Sequence, residues 1–177
     1  MKKLLGVLLL LAGIVLAMGA GATFRYYEAD RTVTVNITSD DSELIDLDPI
    51  QPYAYLNNGK LTIEISQNNP NNPGYGDGMS HNTTYVFEEM FNVSNDLWEN
   101  EQQDFPICVH IAIQNSGGLK IFAGDYDSPT AGPDTSIQFT VYHDSPVPIG
   151  FVFDNTCESL GGHQATMSIS AQAGACS

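Results

Sequence analysis

The chain has 177 residues and carries 21 acidic side chains against six lysines and arginines, a formal net charge of −15. A surface of that sign, with no basic patch, repels phosphate backbones and anionic lipid, which excludes nucleic acid as a partner. The length suits one domain with a core of its own.

The first residues, "MKKLLGVLLLLAGIVLAMGAGA", set two lysines before an apolar run over residues 4–18 and end in small side chains. This is the layout of a secretory signal, with Ala20-Gly21-Ala22 as the cleavage motif and the cut after Ala22. The run is shorter than the ~20 residues of a comfortable membrane span, so contact with a membrane is expected only through an uncleaved leader. Cleavage takes 22 of the 177 residues and leaves 155; loss of Lys2 and Lys3 moves the net charge from −15 to −17. Arg25, Arg31, Lys60 and Lys120 are then the remaining lysines and arginines. The expected organisation is a signal peptide over 1–22, an N-terminal segment over 23–30 and one β domain over 31–177.

Residues 23–29, "TFRYYEA", open the mature chain with Phe24 and Tyr26 in one alternating row. Next, "RTVTVNI" over 31–37 places Val33, Val35 and Ile37 on one face and Thr32, Thr34 and Asn36 on the other, a half-buried strand pattern. "SELIDL" offers at most a helical turn. Further alternating stretches follow at 60–66, 83–95, 106–114, 118–123, 136–143, 147–153 and 163–172, with Glu89 breaking the pattern of the second of these. Between 67 and 82, "QNNPNNPGYGDGMSHN" reads as a long surface loop, since its prolines and glycines exclude a central strand. Eight or so short strands between Gly, Pro, Asn and Asp turns predict an all-β sandwich, jelly-roll or Ig-like.

No phosphate-cradling glycine loop, zinc-protease helix motif or nucleophile elbow is present. His81, His110, His143 and His163 have no ligand spacing to one another, so an enzyme is not expected. Cys108, Cys157 and Cys176, in an exported chain, predict one disulfide and one leftover thiol. If 147–154 and 164–172 form a hairpin, Cys157 and Cys176 sit at opposite ends of its last strand, out of reach of each other. Cys108 is therefore expected to pair with Cys176 or Cys157. Two acidic stretches, with Asp40, Asp41, Glu43, Asp46 and Asp48 in one and Asp125 and Asp127 in the other, hold oxygen donors of the kind Ca²⁺ takes. Neither fits an EF-hand loop, and the expectation is solvated loops with no cofactor, Ca²⁺ being the minor alternative. Asn36, Asn82 and Asn92 each begin an N-x-[ST] sequon and are candidate glycosylation sites.

The glycine-rich end of the leader, "ATFRYYEADRTVTVNI" after it, and the later strand "YVFEEMFNVSN" together resemble TasA/camelysin-type exported fibre proteins. They are also similar to an archaeal exported family of uncharacterised domains and to archaeal pilus subunits of that fold. The resemblance implies a jelly-roll subunit of an extracellular, biofilm-type filament, assembled head-to-tail with copies of itself by donor-strand exchange. Carried over by position, the donor strand is Thr23, Phe24, Arg25, Tyr26, Tyr27, Glu28 and Ala29. The other reading is a monomeric cell-surface β-sandwich that binds a glycan or Ca²⁺ through its acidic loops.

Overall fold

A computed structural model of the chain describes residues 6, 32–98 and 104–177. It separates into two compact units, Met1–Asn36 and Ile37–Ser177. The leader, residue 6 apart, and the segment 23–29 lie outside the described residues.

The second unit is built from β1 (Leu47–Pro49), β2 (Ala54–Asn57), β3 (Lys60–Ile63), β4 (Thr84–Val93), β5 (Ile107–Gln114), β6 (Leu119–Asp125), β7 (Ser128–Asp134), β8 (Ser136–Val141), β9 (Val147–Asp154) and β10 (Thr166–Ala173). A five-stranded sheet runs β1-β4-β9-β6-β7, a three-stranded sheet runs β10-β5-β8, and β2-β3 form a separate hairpin. All pairings are antiparallel. The fold is all-β, as the period-two patterning predicts.

Alternation decides which side chains meet between the sheets. From the larger sheet come Phe91, Val93, Ile121, Ala123, Ile149 and Phe151; the smaller contributes Ile107, Val109, Ile111, Ile137, Phe139 and Val141. These residues are buried and form one cluster, so the two sheets make a sandwich with a shared core. Each such Val, Ile or Phe side chain removed from water contributes about 1.5–3 kcal/mol.

The break at Glu89 is a bulge. Phe87 faces Phe151 and Phe91 faces Ile149, so residues 88–90 lie opposite Gly150 alone. Glu89 takes a positive φ of 50° there. Strict alternation would turn Glu89 inward between Phe87 and Phe91; the two extra residues keep both rings on the core side and leave Glu89 exposed. Freed from the ladder, the Met90 carbonyl accepts hydrogen bonds from the N–H groups of Ile50 and Gln51. Gly150, opposite the bulge, lies under the Phe122 ring, which would collide with any added Cβ.

Several sequence expectations need correction. Residues 32–37 form no strand: alternation makes a segment able to join a sheet but does not supply a neighbouring edge. "SELIDL" holds bends and the first residue of β1 rather than a helical turn. The stretch at 60–66 is a strand only to Ile63, where it pairs with β2. Asn58-Gly59 makes the turn of that hairpin, and its φ values of 51° and 79° are those of a tight two-residue turn. Strands β1 and β7 contain prolines and lack clear alternation. Finally, β9 and β10 are not a hairpin; they lie in different sheets, joined by the crossover 155–165.

The disulfide joins Cys108 to Cys176, with Cα atoms 4.8 Å apart, and Cys157 is a free, exposed thiol. It fastens the tail after β10 to β5, where Gly174 N–H also donates to the Pro106 carbonyl and Cys176 N–H to the Thr140 hydroxyl. The bond closes a loop of sequence separation 68, for which chain entropy gives about 4 kcal/mol of stabilisation. Replacing Cys108 and Cys176 together by serine should lower the unfolding free energy by about 2–5 kcal/mol in urea titrations, with the Cys157→Ser protein unchanged.

Candidate functional site

The histidines lie apart in separate settings. His110 Nε2 is 2.7 Å from the Ser136 hydroxyl on the outer face of the three-stranded sheet. The Nδ1 of His143 contacts the Asn95 carbonyl at 2.9 Å, and His163 lies beside Glu158 and the Ser159 carbonyl. Among the described residues, no group of three or more His, Cys, Asp or Glu is placed to hold a metal ion.

The first acidic stretch does structural work instead. Asp40 receives the Leu61 N–H on Oδ2 at 2.7 Å, and its backbone N–H donates to Gly59. These bonds tie the chain before β1 to the tip of the β2-β3 hairpin. Asp41 accepts from the hydroxyls of Ser39 and Ser42. Glu43 is held above its ordinary pKa by burial and then by the charge of Asp40. Asp46 is pushed up to about 6, first by burial and then by a hydrogen bond with Asp96. Its Oδ1 is buried with no hydrogen-bond partner among the described residues. In the other stretch, Asp125 and Asp127 flank the β6-β7 turn, where Asp125 Oδ1 accepts from Asp127 N–H. Of the sequon asparagines, Asn36 and Asn82 are exposed and Asn92 is half-buried on β4, paired with Asp48 and Pro148.

One polar residue escaped the sequence reading. Asn95 is 1% exposed, and its side-chain amide donates to the carbonyls of Phe105 and Val141. It links the end of β4 to the segment before β5 and the end of β8. Nothing in "VSND" distinguishes it from a surface asparagine. The 67–82 loop has a comparable anchor in Asn69, also buried, which donates to the carbonyls of Pro52 and Glu64.

The feature with binding geometry is an edge. Two outer strands of the larger sheet are guarded: β1 is three residues long with Asp48 and Pro49, and β7 carries Pro129, Pro133 and Asp134. In the smaller sheet, β8 also lies against β6 and β7. The remaining edge, β10, reads "TMSISAQA", eight residues without charge or proline, with β5 as its neighbour on one side. Alternate backbone N–H and C=O groups of such a strand point away from its partner. Beside it runs a groove of about 300 Å³ floored by Ile45, Leu47, Leu61, Met167, Ile169 and Ala171, with Asp40 and Glu43 also lining it. On the outer face, Ser168, Ser170 and Gln172 of β10 lie level with Ala112, His110 and Cys108 of β5, and these with Ser136, Gln138 and Thr140 of β8. This arrangement can receive an extended strand: main-chain groups for a ladder, and an apolar trough for every second side chain.

Residues 37–176 match a family model described as "Protein of unknown function (DUF1102)", and the chain belongs to that family. No curated protein matches it.

The raised Asp46 carboxyl gives this region a pH signature. A folded pKa of about 6 against an ordinary 3.8 means that the native state holds its proton more tightly than the unfolded chain. Its protonation therefore favours folding below pH 6, and stability is lost as pH rises from about 4 through 6. Asp46→Asn should flatten that part of the profile of melting temperature against pH; an unaltered slope would place the titration elsewhere.

Proposed function

We propose that this member of the family is a structural subunit of an extracellular filament. In this reading a strand from the segment preceding the domain of one copy adds to the open β10 edge of the next. The observation that carries the reading is the pairing of an unguarded strand edge with an apolar groove on a domain whose other flank is closed.

Main-chain hydrogen bonds supply affinity in such an addition, and alternate side chains in the groove set the register. The contact joins two different surfaces, so repetition gives an open filament rather than a closed dimer. The disulfide beside β10 suits this role, because an accepting edge bears the load between subunits. Export by the leader, the acidic surface and glycans at Asn36, Asn82 and Asn92 belong to the same reading, as does the resemblance to TasA-type jelly-roll fibre proteins. That resemblance places the donor at Thr23 to Ala29.

A second reading, a monomeric surface module for a neutral glycan, draws on the uncharged outer face of β10-β5-β8. A depression of about 300 Å³ lies there among Cys108, His110, Gln138, Ser170 and Gln172. The two readings separate on assembly. Purified protein starting at Thr23 should form fibres in negative-stain images, and protein lacking residues 23–36 should elute as a folded monomer with none. Undiminished fibres from the shortened protein would falsify the donor-strand reading.

A further inference from the structure

The groove beside β10 has two faces to satisfy, and one stretch of this chain matches both. A strand added there buries every second side chain among Ile45, Leu47, Leu61, Met167 and Ile169, and sets the others level with Ser168 and Ser170. Residues 32–37, "TVTVNI", have Val33, Val35 and Ile37 in one row and Thr32, Thr34 and Asn36 in the other. The apolar row is β-branched throughout and repeats every ~6.6 Å, the spacing of Met167, Ile169 and Ala171 along β10. The polar row continues the hydroxyl and amide face of the sheet without adding a charge, and Thr beside Ser is a favourable lateral pair. Asn36 would then face outward, where a glycan fits.

Residues 23–29 match less well. Phe24 and Tyr26 share their row with Glu28, which brings a carboxylate to a groove that already holds Asp40 and Glu43. By contrast, Arg31 directly precedes the "TVTVNI" row. The unit Ile37–Ser177 has only Lys60 and Lys120 as lysine or arginine, so an arginine arriving from another chain meets acids with few cations of their own.

We propose that residues 32–37 of one copy form the strand that pairs with β10 of the next, with Val33, Val35 and Ile37 filling the groove. This rests on the filament reading and changes which residues donate. A second copy is the occupant because residues 32–37 form no strand among the described residues and Ile37 is 94% exposed. Assembly gives both the apolar row and the β10 edge the cover they lack.

The test uses protein starting at Thr23 in a Cys157→Ser background. Thr34→Cys is combined in turn with Ser168→Cys and with Ser170→Cys, and the assembled protein is oxidised. All three side chains are exposed, so the substitutions leave the core intact. Non-reducing gels should show a ladder of covalent multimers that collapses on reduction, while Tyr27→Cys with the same acceptors gives none. Val35→Asp should abolish fibres without shifting the melting temperature of the domain. A ladder from Tyr27→Cys instead, or a cross-link confined to monomer-sized protein, overturns the proposal; the latter means that the strand fills its own groove. Fibres with no link from Thr34→Cys to either acceptor overturn the proposal alone. A protein that stays monomeric, with neither links nor fibres, overturns the filament reading as well.

Discussion

Everything in the domain depends on a mismatch in width between two sheets that share one core. Five strands face three, and the apolar rows of both must be kept from water. On one flank β8 lies against β6 and β7, so the two sheets meet and the core is sealed. On the other, β1 and β10 are the outer strands of their sheets, and both line one groove. Leu47 is buried in the core, and Ile45, Met167 and Ile169 stay half-buried at the mouth of a groove.

The remaining devices follow from that asymmetry. The disulfide sits at the exposed side of the narrower sheet, where β10 has one strand neighbour to hold it. The Asp40 bonds to Gly59 and Leu61 bring the β2-β3 hairpin to the groove and supply part of its wall. Prolines and acids guard β1 and β7. Among the described residues, the one long, uncharged edge coincides with the trough, where pairing with another strand would gain both hydrogen bonds and buried area.

Much of the fold was legible because its signal is local. Val109 and Ile111, or Ile137 and Phe139, declare their face by position alone, and β5, β6, β8 and β9 lie close to where the alternation put them. The missed strands failed for physical reasons. β7 contains two prolines, which an edge tolerates and a central strand does not. β1 has three residues, too few to show a period. β2 has four residues, also too few to show a period, and the local mark of its hairpin is the Asn58-Gly59 turn. At the bulge, Glu89 reads as an interruption because the two extra residues take it out of the row that Phe87 and Phe91 share.

The sequence by itself determined the fold class, the acidic surface, the core-facing rows and the shortlist for the disulfide, because period, charge and cysteine count belong to the chain wherever it goes. The tertiary structure decided which strands are neighbours, that β9 and β10 part company across the sandwich, and that Cys108 meets Cys176. It also decided that Asn95 is an internal clamp and that β10 is an open edge. Those are relations between segments distant in the chain, and no single segment contains the information. Residues 32–37 show the division most clearly: their pattern is that of a strand, yet they form none in the structure.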